Sequence, residues 1–189
     1  SNPEVKSNLA IIMDECQRGK DIIQRLLKFS RRGKNEISSI DINKSIEAIV
    51  NILEHQFSLS GIVIKKNYGA DLPAILGDER QLQEVFMNLF SNAREAMPQG
   101  GAIEITTALH ADMLKIVVKD SGSGMSPEVL ARVCEPFFTT KEKGTGLGLS
   151  VCYGIIKGHG GELTFASEKQ QGTAAIIQLP INRGGAENA

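Results

Sequence analysis

Near Gly100 the hydrophobic period of this chain switches from that of a helix to that of a strand, and no other feature limits its architecture as much. Downstream, "AIEITTAL" and "MLKIVVKD" alternate across a polar "HAD" turn, and "GELTFAS" and "GTAAIIQLPI" alternate across "EKQQ". Each pair reads as a hairpin. Upstream, Leu82, Val85, Phe86, Leu89, Ala93 and Ala96 share one helical face, and Ile42–Leu59 reads as another helix ending before Gly61. Hairpins with one apolar face and helices with one apolar stripe hide both by packing on each other. The expected fold is α+β: a two-layer sandwich of a mixed, mainly antiparallel sheet with helices on one face, preceded by a long N-terminal helix. "IVIKKNY" adds a short strand and "ADLPAILGDE" reads as loop. Asp78 is the expected N-cap of the helix that follows.

The N-terminal helix carries its own seam. Val5, Leu9, Ile12, Cys16, Gly19, Ile23 and Leu26 step by alternating fours and threes, and Ile11, Ile22, Leu27 and Phe29 widen the stripe to bundle width. Two readings stand: an amphipathic helix folded back on its own domain, or half of an antiparallel hairpin whose mate precedes residue 1. The helix is in register from its first residues without a cap, which favours the second. "RRGKNEISSI" reads as a linker, and the tail after Pro180 has nothing to bury. The expected division is a helical segment over 1–36, a domain over 37–182 and a disordered tail over 183–189.

Composition removes several function classes. A formal charge of -1 gives no basic field for nucleic acid, and Trp is absent. No apolar run is long enough for a membrane span, and no signal pattern opens the chain. The three cysteines show no CxxC spacing, which excludes a zinc ribbon and fits a reducing, cytoplasmic compartment.

Three stretches carry chemistry. In "RQLQEVFMNLFSNAREAM", Glu84, Asn88, Asn92 and Glu95 form a second stripe about 120° from the apolar one. Two asparagines one turn apart are poor helix formers, so they are either a solvated face or neutral oxygens for a hard cation such as Mg²⁺, which takes few protein ligands. In "LKIVVKDSGSGM", Asp120 ends the row Leu114, Ile116, Val118, so its carboxylate lies at the inner edge of an apolar sheet. Gly122 and Gly124 let the backbone pass closely there, and Met125 offers a surface for a purine; an Asp–Gly turn closing a strand is the plainer alternative. In "KGTGLGLSVCYGIIKGHG", Gly144, Gly146 and Gly148 lead into an apolar helix, whose N-terminal N–H groups form an anion site. Lys141 and Lys143 precede it and could reach phosphates. There is neither GxGxxG nor GxxxxGK[ST]. Between these stretches, "EPFFTTKEKG" is short, polar and hinge-prone after Phe138, as a cover over a nucleotide would be.

In this order the pieces resemble the ATP-binding domain of two-component sensor histidine kinases, in the superfamily that also holds type II topoisomerases, MutL and the heat-shock ATPase chaperones. "NLFSNAREAM" resembles the N box, "DSGSGM" the G1 box, "EPFFTT" the F box and "GTGLGLS" the G2 box. "GTAAIIQLP" resembles the closing strand, with Ala175 where an aromatic is common, and "RLLKFSR" resembles the end of the dimerisation and phosphotransfer hairpin. The style is closest to the nitrogen-regulation and PAS-sensor type. The resemblance implies ATP and Mg²⁺ as ligands, with Asn92 on the metal and Asn88 near the phosphates. It implies Asp120 on the adenine amine, Gly122, Gly124 and Met125 along the purine, and Thr173 helping to hold the base through water. Gly144, Thr145, Gly146, Leu147, Gly148 and Leu149 would wrap the phosphates, with Phe138, Thr140 and Lys141 in the cover.

Two departures shape the expected chemistry. Glu95 stands where many of these kinases carry a basic phosphate contact, so Arg94 or Lys141 is the expected substitute. The phosphoacceptor His–Glu motif is absent: His55, His110 and His159 read as surface or packing residues. The acceptor is expected on a hairpin half upstream of residue 1, with residues 1–36 the C-terminal part of that hairpin. The implied partners are that hairpin, a response-regulator receiver domain and a second copy in a full-length homodimer; nucleic acid is not among them. In the hydrolysing relatives a Glu four residues before the metal Asn activates water, whereas Asn88 cannot accept a proton, so transfer is expected over hydrolysis. The alternatives are an ATPase or Ser/Thr kinase of the same fold, or a non-catalytic nucleotide-sensing module.

Overall fold

A computed structural model describes residues 36–141 and 144–181. The chain divides into two units, Ser1–Asn35 and Glu36–Ala189. The expected N-terminal helix and the tail after residue 182 lie outside the described residues.

Among the described residues, seven strands and four helices follow one another as β1 (Ile37–Ile40), α1 (Ile42–Leu59), β2 (Ile62–Tyr68), β3 (Ile75–Asp78), α2 (Glu79–Glu95), β4 (Gly101–His110), β5 (Met113–Asp120), α3 (Pro127–Arg132), α4 (Gly148–Gly158), β6 (Glu162–Glu168) and β7 (Gly172–Pro180). The main sheet has the order β2-β4-β5-β7-β6. Its β4–β5, β5–β7 and β6–β7 pairs are antiparallel, and β2 joins β4 in parallel. A parallel pair needs a crossover, which β3 and α2 provide.

One face of the sheet is dry. Ile103, Ile105, Leu114, Ile116, Val118, Leu163, Ile177 and Leu179 are buried, while Glu104, Thr106, Lys115, Val117, Ile176 and Gln178 between them are half-buried. The dry face meets Ile46, Val50 and Phe57 of α1, Leu82, Val85, Phe86, Leu89 and Phe90 of α2, and Cys152 and Ile156 of α4 in one core cluster. Phe57 and Phe90 meet edge to face at 6.3 Å, an arrangement the aromatic quadrupole favours. The mixed, mainly antiparallel α+β sandwich is as expected. The apolar stripe of α2 differs from the expected one at two positions: Phe90 belongs to it, fully buried, and Ala96 caps the helix instead of lining the core.

Two stretches depart from the sequence reading. Ile37–Ile40, placed at the end of a linker, pairs antiparallel with Ile75–Asp78, placed in a loop, as a two-stranded sheet. Four-residue strands interrupted by Ser38, Ser39 and Gly77 carry too little alternation to register as strands; pairing across the intervening α1 creates them. Asp78 closes β3 and caps α2 as expected, its Oδ1 accepting from the N–H groups of Arg80 at 3.0 Å and Gln81 at 3.2 Å. His159 locks this corner. Its Nε2 accepts from Asp78 N–H at 3.0 Å, so Nδ1 carries the proton and donates to the Ile155 carbonyl at 2.8 Å. A Cβ on Gly77 would stand 2.7 Å from that ring, which makes His159 a packing residue.

Candidate nucleotide site

Asp120 is where the strand periodicity puts it. Following Leu114, Ile116 and Val118 on the buried face of β5, it is 8% exposed. Its Oδ1 accepts from Gly122 N–H at 2.8 Å and Thr173 N–H at 3.2 Å. Burial raises its pKa above the ordinary carboxylate value, against the lowering by those two backbone donors. Oδ2 has no protein hydrogen bond among the described residues, which leaves one acceptor lone-pair face in a fixed position for an incoming donor.

The loop after Asp120 is clamped from two sides. A Cβ on Gly122 would stand 2.7 Å from both the Cβ and the carbonyl oxygen of Ala96 at the end of α2. Gly124 lies at φ +62 with its α-carbon against the Glu168 carbonyl, and Gly172 lies at φ +87 against the Asp120 carbonyl, so neither admits a side chain. The close approach these glycines permit is therefore to protein backbone first. Thr173 acts through its N–H on Asp120, while its hydroxyl pairs with Ser167 Oγ at 2.9 Å. Ser167 was missed in the sequence. It accepts from Met125 N–H at 2.9 Å and bonds the Gly172 carbonyl at 2.9 Å, tying the β5–α3 loop to the β6–β7 hairpin. Its signal was the hairpin register, which sets Ser167 opposite Thr173.

From the Gly122 contact, the polar stripe of α2 runs away from Asp120. Asn88 and Asn92 are half-buried and Glu95 is exposed. Lys141 Nζ donates to Asn92 Oδ1 at 2.8 Å and pairs with Glu95 Oε2 at 2.5 Å. Gly148 opens α4 beside Asn88, where a Cβ would be 3.4 Å from its Oδ1. Gly146 turns at φ +66, pressed on the backbone of Phe137, whose N–H donates to the Gly146 carbonyl at 2.9 Å. No side chain caps α4, so its first N–H groups and positive dipole end remain an anion site. Leu147 is buried; Gly144, Thr145 and Leu149 are half-buried around that turn.

The intervening segment flanks the Gly144–Gly146 turn. Phe138 lies under the Arg132 guanidinium at 4.3 Å, and Arg132 Nε bonds Glu135 Oε2 at 2.9 Å. Thr140 is exposed, and Lys143 lies outside the described residues. Of the expected cover residues, Lys141 alone is placed on the stripe. Neither described thiol is a candidate nucleophile: burial pushes Cys152 up to about 12 and Cys134 above its ordinary value.

The described residues contain no group of three or more His, Cys, Asp or Glu able to hold a metal. A single neutral amide oxygen already seating an ammonium ion, as Asn92 does, fits instead a hard cation that draws its other ligands from phosphate and water.

Residues 77–183 match the family described as histidine kinase-, DNA gyrase B- and HSP90-like ATPase, more than half the chain. The chain belongs to this family. Sporulation kinase C of Bacillus subtilis is 39% identical over 180 residues, covering 95% of this chain and 42% of that protein. Sporulation kinase A of the same organism is 40% identical over 171 residues, covering 90% of this chain and 28% of that one. The chain thus spans less than half the length of these curated relatives. The solved catalytic domain of histidine kinase ThkA superimposes with a TM-score of 0.71 at 29% identity, over 77% of this chain and 95% of that one. ThkA in complex with the response regulator TrrA gives 0.76 at 26%, over 95% and 52%. Full-length ShkA in complex with AMPPNP gives 0.79 at 23%, over 98% and 40%, and shows the fold. The family recognised from motif order in the sequence is the family these matches return.

Proposed function

We propose that this chain is the ATP-binding catalytic domain of a sensor histidine kinase, supplying the γ-phosphoryl group of ATP to a histidine on a dimerisation hairpin, from which it passes to an aspartate of a response regulator. The observation that carries the reading is Asp120, a buried carboxylate with one oxygen pinned by Gly122 and Thr173 and the other without a protein partner among the described residues. An adenine amine satisfies that oxygen. Asn92 would hold Mg²⁺, which neutralises phosphate charge when bound; the open start of α4 would hold phosphates. Asn88 lies beside Gly148 with no proton-accepting group, which favours positioning for transfer over activation of water. The relatives support the reading: they are named kinases, and ThkA was solved with a response regulator. Residues 1–36 are assigned to the hairpin and 37–182 to the catalytic domain, in a homodimeric full-length protein whose catalytic part is cytoplasmic. Among the described residues no helix is long and apolar enough to cross a membrane.

The test is calorimetric. Asp120→Asn keeps the Oδ1 acceptor but places a donor toward the adenine amine, so ATP affinity should fall about a hundredfold. Its melting temperature should hold or rise, because a costly buried charge is gone. Unchanged affinity removes the adenine assignment. Mixing the unsubstituted chain with a histidine-bearing hairpin and radiolabelled ATP should label the hairpin; sustained ATP hydrolysis without labelling would favour the ATPase alternative.

A further inference from the structure

Lys141 reaches α2 from a segment 46 residues further along the chain and contacts both Asn92 Oδ1 and Glu95 Oε2. Ser91 Oγ steadies the same carboxylate by donating to its Oε1 at 3.3 Å. Ser91, Asn92 and Glu95 share one helical turn, so their contacts converge on one point beside the helix. Lys141 and Glu95 are each 44% exposed, and an ion pair that open to water contributes little to folding. What the pair does fix is a place for positive charge: a neutral amide oxygen on one side and a full carboxylate on the other.

We propose that the Lys141 ammonium marks the position of the divalent ion, and that Glu95 belongs to the cation site as its charged member, with Asn92 as the neutral one. An ammonium and a divalent ion repel strongly at one amide oxygen, so metal binding displaces Lys141. Glu95 then faces the metal and its hydration shell, an arrangement in which a carboxylate raises metal affinity. This accounts for an acid where the family resemblance suggested a base: a lysine there would repel the same ion. The site favours metal-bound polyphosphate over free polyphosphate, because without the metal Glu95 repels phosphate. The inference rests on the ATP reading and deepens it.

The experiment uses the chain Ser1–Ala189. ATP binding is followed by calorimetry in EDTA and in a series of Mg²⁺ concentrations, and Mn²⁺ binding at fixed ATP by electron paramagnetic resonance. Glu95→Gln should raise the Mg²⁺ midpoint about tenfold and leave metal-free ATP binding unchanged or tighter. Lys141→Met should lower that midpoint about threefold, since a competing cation is gone. An unaltered or lowered midpoint in Glu95→Gln overturns the proposal, as does equal weakening of metal-free and metal-bound ATP, which is what a purely structural role would produce. If the unsubstituted chain binds no ATP under any condition, the nucleotide reading itself fails.

Discussion

Both walls of the site are glycine-rich, but they are built differently. On the Asp120 side, Gly122, Gly124 and Gly172 press against the backbone or Cβ atoms of elements that belong to the core, and Ser167 stitches the loop to a hairpin. On the Gly146 side, Gly144 and Gly146 press against Thr139 and Phe137 of an exposed segment, and α3 contributes no buried residue. The first wall is held by groups that cannot move without opening the sheet. The second is held by groups that water already reaches. On the proposed kinase reading, a purine that is the same in every turnover suits the first, and a phosphate tail that shortens on transfer suits the second.

The comparison breaks most readily at Gly172. A Cβ there would overlap the Asp120 carbonyl at a φ of +87, so Gly172→Ala should cost about 3 kcal/mol of stability in urea melts. A cost below about 1 kcal/mol would mean that the first wall is as yielding as the second.

Acid sharpens the same contrast. The folded pKa of Asp120 is raised, so this carboxyl takes up its proton at a higher pH than an ordinary Asp. Its effect on folding has a definite sign. Ionised Asp120 opposes folding, and that opposition disappears as pH falls through the raised pKa. Under the proposed adenine contact, binding moves the other way, because a protonated acid accepts poorly from an amine. ATP affinity should fall about tenfold per pH unit below that pKa, with onset at a higher pH than an ordinary Asp would give. The pH series with Asp120→Asn as control measures this, and a parallel decline in both proteins would assign the effect elsewhere.

The smallest effect is expected on the second wall. At Gly144 the nearest obstacle is the hydroxyl of Thr139, which can rotate away, so Gly144→Ala should cost less than about 1 kcal/mol. A loss equal to that of Gly172→Ala would show the second wall to be rigid as well.

The legible parts of the molecule were those written locally. Alternation announced β4–β7, the 3.6 period announced α1 and α2, and Asp78 announced its own cap. The row Leu114, Ile116, Val118 was enough to put Asp120 on the buried face. The illegible parts were pairings across the chain. β1 and β3 make each other into strands, His159 occupies the space that Gly77 leaves, and Lys141 meets Glu95 from 46 residues away. The contact of Phe138 with Arg132 was likewise not legible locally.

The sequence by itself determined which face of each element is apolar, where helices and hairpins begin, and that an acid and two amides lie on inward-facing or half-buried positions. Periodicity reports that much because backbone geometry converts residue spacing directly into direction. The tertiary structure alone decided what stands opposite each face: backbone against the glycines, Thr173 on the Asp120 carboxylate, and an ammonium on the asparagine beside Glu95. Those contacts join residues remote in the chain, and they form only once burial of the common core has brought the elements together.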